Sequence, residues 1–314
     1  MKVGILGGGG ISATHVRAAA LIGGIRVVAV CGSNREKTES LAREANAVSF
    51  TDLTAFLSHP MDMVVIGSPS GLHADHAMAA LGRGHHVLVE KPLDISTAKI
   101  DALIAEADRA RRVVGVCFQE RLAPEIVRLK SAVDEGRIGT PVFASGQVKW
   151  YRPPEYYRGS RWRGTWAFDG GGALMNQGIH TVDLLVWLFG PASAVTGRVA
   201  NRLHPIEVED TAAALIEFEN GALGTIEVST AAFPGFPRRI DLTGTAGSLT
   251  HEDEARPAAL ADATPHRRLL EDFIRAVRTG GTPACDAREG RRSVALVEAV
   301  YESARSGRRV IVRS

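Results

Sequence analysis

The chain has 314 residues, 45% of them hydrophobic, which fits two domains or one large α/β domain with an appendage. Its formal net charge is only +2, and it has no long basic run, so the composition argues against a nucleic-acid-binding protein. No apolar run reaches the length of a membrane span and no signal peptide precedes the first strand, so we expect a cytoplasmic protein without a membrane anchor.

The first part of the chain alternates short runs rich in valine and isoleucine with amphipathic segments of helical period. Such runs are typical of parallel strands buried on both faces. The predicted strands are Val3–Leu6, Val27–Cys31, Met63–Gly67, His86–Val89 and Val113–Cys117, and the predicted helices are Ile11–Leu21, Arg35–Glu44, Ala74–Leu81 and Thr97–Ala110. Strand alternating with helix indicates βαβ units, so we predict an α/β domain with a parallel sheet over residues 1–121.

The second part, residues 122–314, has a different pattern, with longer runs that lack a helical period. This pattern predicts an α+β domain with a mainly antiparallel sheet. Asn220-Gly221 has the turn chemistry of a tight hairpin, and Gly244–Gly247 indicates another reversal. The segment His251–Pro265 is polar and predicts a surface loop. The predicted strands are Val142–Trp150, Val195–Leu203, Thr211–Glu219, Ala222–Thr230, Ile240–Thr243 and Arg309–Val312, and the predicted helices are Ile126–Glu135, Ala173–Phe189, 264–279 and 287–305.

A glycine-rich turn, Gly7-x-Gly9-x-x-Ser12, joins the first strand to the first helix. Gly7 permits a tight turn, Gly9 lets the backbone approach a pyrophosphate, and the N-terminus of the helix Ile11–Leu21, with Gly10 just before it, offers free N–H groups to an anion. Ser12 replaces the third glycine but is still small. The position of the motif favours dinucleotide binding over a purely structural turn.

The end of the second strand bears on the choice between NAD and NADP. An acidic residue there would bind the ribose hydroxyls of NAD, but this chain has Cys31-Gly32-Ser33-Asn34-Arg35. Ser33 and Arg35 suit a 2′-phosphate, which gives a slight preference for NADP. Alternatively, Ser33 caps the next helix and Arg35 is only solvated.

The three cysteines, Cys31, Cys117 and Cys285, are far apart and odd in number. They predict neither a metal site nor a disulfide framework, and we expect Cys31 and Cys117 to be buried thiols.

Four motifs in this order resemble the glucose-fructose oxidoreductase / inositol dehydrogenase / rhizopine-catabolism (Gfo/Idh/MocA) family. They are Gly7–Gly10, Ser68-Pro69, Glu90-Lys91-Pro92 and the segment from Gly170 to His180. The resemblance covers nearly the whole chain. It implies an N-terminal Rossmann domain, a C-terminal domain with a large, open, mainly antiparallel sheet, and hydride transfer between NAD(P) and the hydroxyl-bearing carbon of a sugar, polyol or sugar derivative. It also implies a homodimer or homotetramer formed through that sheet.

Lys91 matches the family lysine, which the resemblance places in the ligand crevice. Its ammonium group would bind the reacting hydroxyl and stabilise the developing alkoxide. Two roles are open for Glu90, which either orients Lys91 or contacts the nicotinamide ribose. The alternative for Lys91 is a purely structural ion pair.

His180 matches the family histidine that takes a proton from the hydroxyl. Asn176 stands where many members have aspartate, so it can hydrogen-bond substrate or position His180 but cannot act as a base. Asn176, His180 and Asp183 would share one helix face. We therefore predict catalytic roles for Lys91, His180 and Asn176, with Asp183 either orienting His180 or purely structural.

Further ligand contacts follow from the resemblance. Ser68, Pro69 and His73 match the segment that passes the cofactor, with His76 only packing on its helix. Gln119 is expected near the nicotinamide and Arg121 near the substrate.

An aromatic and arginine-rich segment extends from Trp150 to Trp166 and suits a sugar ring with an anionic group. The structural alternative is a patch in the core or at a subunit interface. Mixtures of aromatic residues and arginines also bind single-stranded nucleic acid, but nothing else in the sequence supports that function. The predicted substrate contacts here are Lys149, Tyr151, Arg152, Tyr156 and Arg163.

The leading hypothesis is therefore an NAD(P)-dependent dehydrogenase with Lys91 and His180 as acid/base groups. One alternative is a catalytically inactive NAD(P)-binding regulatory protein on the same fold. Another is hydrolysis or elimination with tightly held NAD.

Overall fold

The computed structural model of the chain describes residues 1–253 and 262–313. The chain forms two compact units. The first comprises Met1–Asp94, Ala98–Leu122 and the described residues from 262 to Gly290. The second comprises Ile95–Thr97, the described residues from Ala123 to 253, and those from Arg291 to 313.

The first unit contains a six-stranded parallel sheet in the order β3-β2-β1-β4-β5-β6. This order confirms the predicted Rossmann fold. The strands are β1 Lys2–Leu6, β2 Arg26–Cys31, β3 Val48–Phe50, β4 Met63–Ile66, β5 His86–Val89 and β6 Val114–Val116. The helices that follow them are α1 Gly10–Ala20, α2 Arg35–Glu44, α3 Leu53–Leu57, α4 His73–Leu81 and α5 Thr97–Ala110.

The second unit is built on a seven-stranded sheet in the order β12-β11-β7-β10-β9-β8-β13. Only β7 and β10 run parallel, so the prediction of a mainly antiparallel sheet is confirmed. The strands are β7 Pro141–Lys149, β8 Ala192–Ala200, β9 Thr211–Phe218, β10 Leu223–Ser229, β11 Arg239–Gly244, β12 Ser248–Glu252 and β13 Val310–Ile311. The remaining helices of the chain are α6 Pro124–Asp134, α7 Glu155–Arg158, α8 Ile179–Phe189, α9 Thr264–Thr279 and α10 Ala287–Ser306.

Helix α9 returns to the first unit late in the chain. Its apolar residues Leu269, Leu270 and Phe273 join the core cluster that contains Val3 of β1 and Val16 of α1. The first unit is therefore completed by residues that follow the whole sheet of the second.

Several predicted elements differ from the structure. The short elements β3 and α3 were not predicted, because Val48 is half exposed at the sheet edge and carries no buried apolar pattern. The predicted loop His251–Pro265 is wrong at both ends, since β12 reaches Glu252 and α9 begins at Thr264, while residues 254–261 lie outside the described part of the chain. The described residues contain no helix long and apolar enough to cross a membrane.

The predicted single helix Ala173–Phe189 is also wrong in its first turn. Ala173–Gly178 is π-helical, and α8 starts only at Ile179. π-Helical turns are rare and frequently occur at functional sites, so this irregularity draws attention to the segment that carries Asn176.

The turn between β1 and α1 supplies a test of the fold. Gly7 has a φ of +140°, and a Cβ there would lie 2.5 Å from the carbonyl oxygen of Gly67. We expect Gly7→Ala to lower the free energy of unfolding by about 3 kcal/mol in urea titrations, because it adds both backbone strain and a clash. Gly9→Ala is the control, since a Cβ at Gly9 meets nothing within 4 Å. Equal stability of the two variants would contradict this explanation.

Candidate active site

The β1–α1 turn leaves room for an anion at the start of α1. Gly9 is the N-cap residue, and no side chain caps this helix end. Gly9 and Gly10 are exposed, Ile11 is half-buried, and an added Cβ at Gly9 would meet only open space. Uncapped N–H groups beside an accessible backbone fit a dinucleotide pyrophosphate.

The end of β2 presents an arginine but no carboxylate before Glu36. The side chain of Asn34, not Ser33, caps α2 by accepting from the Lys37 N–H at 3.0 Å, so the alternative in which Ser33 caps this helix is wrong. Arg35 has a side chain 79% exposed and lies 3.8 Å from Glu39, so its guanidinium is accessible to a ligand.

The segment after β4 is held by His73, whose ring is fully buried. Its Nδ1 lies 2.7 Å from the Pro92 carbonyl and its Nε2 lies 2.8 Å from the Ser68 carbonyl. Burial lowers the pKa of His73, so a neutral ring donates to one of these carbonyls at a time. The predicted cofactor contact of His73 is therefore corrected to an indirect one, in which it ties Ser68 to Pro92. His76 does more than pack on its helix, because its Nδ1 lies 2.9 Å from the Ser68 hydroxyl.

Lys91 follows β5 and is half-exposed between the buried Glu90 and the buried Pro92. The Glu90 carboxylate accepts a hydrogen bond from the Lys91 backbone N–H at 3.2 Å. Of the two roles open for Glu90, this contact supports orientation of Lys91. His15 and His266 also meet the Glu90 carboxylate, at 2.8 and 3.6 Å, and neither histidine was predicted from the sequence.

Gln119 and Arg121 lie in a 3₁₀ turn after β6 and differ in accessibility. The Oε1 atom of Gln119 is buried without a partner among the described residues, so it remains a candidate for a ligand N–H. Arg121 was predicted to bind substrate, but its side chain is only 1% exposed and pairs with Glu289 at 3.0 Å. This prediction is wrong, because the guanidinium is used to hold the start of α10 within the first unit.

In the second unit a buried glutamate organises the glycine-rich segment. The Glu209 carboxylate accepts from the N–H groups of Gly172 and Leu174, at 2.9 and 2.8 Å. It also accepts from the Tyr301 hydroxyl at 3.0 Å. The backbone carbonyl of Glu209 accepts from the N–H of Ala173. These bonds satisfy the first N–H groups of the π-helical turn, which no local side chain caps. Burial raises the pKa of Glu209 to about 7.

Asn176 and His180 are set apart by their exposure. They are the only two residues between 171 and 180 that are not buried. The amide Nδ2 of Asn176 donates to the buried Asp169 at 2.6 Å, and Asp169 also accepts from the Gly164 N–H. A carboxylate therefore stands directly behind the asparagine that replaces the usual family aspartate. Asp183, predicted to orient His180 or to be structural, is buried and accepts from the Ser293 hydroxyl at 2.9 Å.

Part of the predicted aromatic and arginine segment forms a cluster that contacts Gln177 of the π-helical turn. The guanidinium carbons of Arg163 and Arg152 lie 4.6 and 5.3 Å from the ring centre of Tyr156. The Tyr156 hydroxyl accepts from Gln177, which follows Asn176. The structure therefore brings Arg152, Tyr156 and Arg163 together, and we call these three residues the arginine–tyrosine cluster.

Lys149 and Tyr151 lie at the end of β7 in different surroundings. Lys149 pairs with Glu227 at 3.2 Å and lies over Phe236. Tyr151 packs edge-on against the exposed Phe233. No hydrogen bond or ring pair of the described residues joins Lys149 or Tyr151 to the arginine–tyrosine cluster, so the structure does not bring these two predicted residues together with the other three.

Four residues that support the predicted site residues were missed from the sequence, namely His15, Asp169, Glu209 and His266. Three of them contact residues distant in sequence, as His15 and Glu90 are 75 residues apart, whereas Asp169 is only seven residues from Asn176. One signal was present: an isolated Glu209-Asp210 pair before a predicted buried strand is an unusual place for two carboxylates.

Comparison with known proteins decides the family. Residues 1–118 match the family described as "Oxidoreductase family, NAD-binding Rossmann fold", residues 126–250 match the GFO/IDH/MocA C-terminal domain, and residues 260–312 match the oxidoreductase C-terminal alpha/beta domain. The chain belongs to the Gfo/Idh/MocA family of oxidoreductases. The predicted resemblance is thus confirmed, and the chain is an NAD(P)-dependent oxidoreductase acting on CH–OH groups.

Its relatives are dehydrogenases. The WlbA dehydrogenase of Bordetella pertussis, solved with NADH and UDP-GlcNAcA, is 32% identical, with a TM-score of 0.94 over 100% of this chain and 98% of that one. The WlbA dehydrogenase of Chromobacterium violaceum, solved with the same ligands, is 33% identical, with a TM-score of 0.92 over 99% and 95%. Inositol 2-dehydrogenase 2 of Saccharopolyspora erythraea is 28% identical, over 98% of this chain and 94% of its own. None of these findings supports the inactive regulatory alternative.

The raised pKa of Glu209 gives a pH-dependent prediction. Because the folded pKa of about 7 exceeds the ordinary glutamate pKa of 4.5, the stability associated with the protonated form is complete below pH 4.5 and is lost as the pH rises to about 7. The loss amounts to about 3 kcal/mol. Glu209→Gln removes this titration. In urea titrations, the unfolding free energy of the wild type should therefore fall by this amount relative to that of the variant between pH 4.5 and about pH 7.

Glu207→Gln is the matched control, because Glu207 also accepts a backbone N–H, that of Trp166, but lies at the surface. A difference between wild type and Glu209→Gln that stays constant with pH would show that Glu209 does not titrate in this window.

Proposed function

We propose that the chain oxidises a hydroxyl group of a sugar derivative that carries an anionic group. The observation that carries this proposal is the arginine–tyrosine cluster beside the turn of Asn176. Among residues 1–253 and 262–313, neither Arg152 nor Arg163 pairs with a carboxylate, and the Nε atom of each is buried without a hydrogen-bond partner. Two cations held against an aromatic ring without counter-ions suit a bound carboxylate or phosphate.

The WlbA relatives supply the first substrate to test. Both were solved with UDP-GlcNAcA, a nucleotide-linked sugar that carries a diphosphate and a carboxylate. The cluster offers the charge that such a molecule requires, so we propose a nucleotide-linked or otherwise anionic sugar rather than a neutral polyol.

Lys91, His180 and Asn176 are proposed to act on the reacting hydroxyl. Removal of a hydride from the carbinol carbon requires that the hydroxyl proton leave, and the half-exposed His180 accepts it. The Lys91 ammonium stabilises the developing alkoxide, and the Asn176 amide, held by Asp169, hydrogen-bonds the substrate. The overall reaction converts an alcohol and NAD(P)⁺ into a carbonyl, NAD(P)H and a proton.

The residues around α1 fit the nicotinamide dinucleotide, which supplies the hydride acceptor. The proposed contacts in this part of the chain are Gly7, Gly9, Gly10, Ile11, Ser33, Arg35, Ser68, Pro69, Glu90, Lys91 and Gln119. The accessible Arg35 and the lack of a carboxylate before Glu36 retain the slight preference for NADP, although the two WlbA structures contain NADH.

The remaining assignments concern domains and assembly. We propose that residues 1–121 bind the cofactor and that residues 122–314 bind substrate and form a cytoplasmic homodimer or homotetramer. Phe143, Leu215 and Leu223, on neighbouring strands of the second sheet, are more than a third exposed and favour such an interface. Sedimentation velocity distinguishes these states from a monomer.

The catalytic proposal predicts turnover and its loss. Formation of reduced cofactor should be detected by absorbance with UDP-GlcNAcA at neutral to alkaline pH, with NADP at least as effective as NAD. Lys91→Ala and His180→Ala should each lower kcat about 10³-fold, because each removes an acid/base or charge-stabilising group, while NADH affinity by fluorescence is retained in His180→Ala. Lys99→Ala is the control, since Lys99 pairs with Asp75 at the surface. Full activity of either variant would refute its assignment.

The anionic-substrate proposal predicts a selective effect of the two arginines. Arg152→Gln and Arg163→Gln should each raise KM for UDP-GlcNAcA about tenfold to a hundredfold, because each removes a charge-assisted hydrogen bond. The KM for a neutral polyol such as myo-inositol should not change. Arg158→Gln is the control, since Arg158 is 70% exposed and lies 3.6 Å from Glu155. An equal change for charged and neutral substrates would rule out an anion contact.

A further inference from the structure

The first unit contains a buried carboxylate between two histidines, directly before Lys91. Oε1 of Glu90 lies 2.8 Å from Nε2 of His15 on α1 and 3.6 Å from Nε2 of His266 on α9. Oε2 accepts from the backbone N–H of Lys91. The two imidazole rings meet edge to face with their centres 5.0 Å apart. Elements from three distant parts of the chain therefore converge on one carboxylate.

Charge and protonation in this cluster are determined by its contacts. Burial opposes ionisation of Glu90, but the contacts with His15 and His266 outweigh it and hold the pKa of Glu90 well below its ordinary value. Burial also lowers the pKa of His15, so this ring is neutral near pH 7. An ionised carboxylate can only accept, so His15 must carry its proton on Nε2.

We infer that His15 and His266 are positioning residues, which keep Glu90 ionised so that its carboxylate holds the backbone at Lys91. This inference rests on the catalytic role proposed for Lys91. An ionised Glu90 is a strong acceptor for the Lys91 N–H and places a negative charge beside the lysine. A protonated Glu90 would lose that charge and weaken that bond.

Other ionisable groups lie next to this cluster. Cys117 lies after β6 with its Sγ 3.9 Å from Nε2 of His15, and it also hydrogen-bonds the Glu90 carboxylate. Burial raises the pKa of Cys117 well above the ordinary value, so it is a neutral thiol that assists the histidines. His73 of α4 interacts with Glu90 at longer range, but its ring nitrogens face the Pro92 and Ser68 carbonyls.

The same side chains invite a comparison with a metal site, since ligand atoms of His15, Glu90 and Cys117 lie within 4.8 Å of one another. Metal-bound histidines almost always donate their second ring N–H to a partner. Here Nδ1 of His15 and Nδ1 of His266 are buried and have no partner among the described residues. The arrangement therefore argues against metal ligation by these imidazoles.

Two replacements of His15 separate hydrogen bonding from packing. His15→Gln retains an N–H donor toward Glu90, whereas His15→Leu removes it and leaves the carboxylate buried with fewer donors. The pKa of Glu90 should then rise in the leucine variant. When the pKa of a carboxyl is higher in the folded protein than in the unfolded chain, the protein loses stability as the pH rises from the unfolded pKa through the folded pKa. The unfolding constant of His15→Leu relative to His15→Gln should therefore increase at least about tenfold between about pH 5 and pH 8.

The turnover number should also be lowered more by His15→Leu than by His15→Gln. With UDP-GlcNAcA, His15→Gln should retain most of the wild-type kcat. In His15→Leu, kcat should fall about tenfold or more near neutral pH and its acidic limb should move up by at least about one pH unit. NADH affinity should be unchanged in both. His85→Leu is the control for loss of a buried histidine, since the ring of His85 lies against the carbonyls of Leu57 and Met61.

Each outcome decides a separate point. A constant ratio of unfolding constants would overturn the claim that His15 keeps Glu90 ionised, and a stoichiometric metal in the purified protein would reassign the cluster as a metal site. A pH-dependent ratio with wild-type kcat in His15→Leu would overturn the positioning of Lys91. Failure of the wild type to oxidise UDP-GlcNAcA would count against the proposed substrate, while the unfolding comparison would still decide the state of Glu90.

Discussion

Buried glutamates fix both chain segments that carry the proposed acid/base residues. Glu90 accepts the N–H of Lys91, and Glu209 accepts the N–H groups at the start of the turn that leads to Asn176 and His180. Backbone that departs from regular strand or helix needs acceptors for its N–H groups. A carboxylate meets this need strongly, but only if other donors offset its burial. Donors reach both glutamates, but they outweigh burial only at Glu90, where the contacts with His15 and His266 hold the pKa well below its ordinary value. At Glu209 the Tyr301 hydroxyl and the backbone donors offset burial only in part, and the pKa stays raised to about 7.

The same constraint explains why glycine is required around the second carboxylate. A Cβ at Gly172 would lie 1.7 Å from the Glu209 carbonyl oxygen, and one at Gly171 would lie 2.0 Å from the Tyr301 hydroxyl. The glycines at 171 and 172 thus let the chain come close enough for the carboxylate to reach its N–H groups. Asp169, in the same segment, then fixes the amide of Asn176. The amide of Asn176, which we propose to contact substrate, is therefore oriented by a buried carboxylate.

The sequence predicted those parts of the structure that depend on local pattern. The alternation of strands and helices gave the parallel sheet, and Asn220-Gly221 gave the hairpin of β9 and β10, because both follow from hydrophobic period and turn chemistry. Lys91, Asn176 and His180 were proposed from the family resemblance and stay predictions. The partners of the site were not found, since Arg121 meets Glu289 across 168 residues and the π-helical turn depends on Glu209. No window of sequence contains such pairs.

Helix α9 has a consequence for how this protein can be divided. The Rossmann unit is not contiguous in the gene, because α9 joins its core and carries His266 toward Glu90. A truncated protein that ends near residue 122 would expose the apolar surface of α1 and lack one donor of the carboxylate beside Lys91. Chimeras between family members therefore need the N-terminal segment and the α9 segment from one parent. Recombination at the apparent domain border would separate residues that must be inherited together.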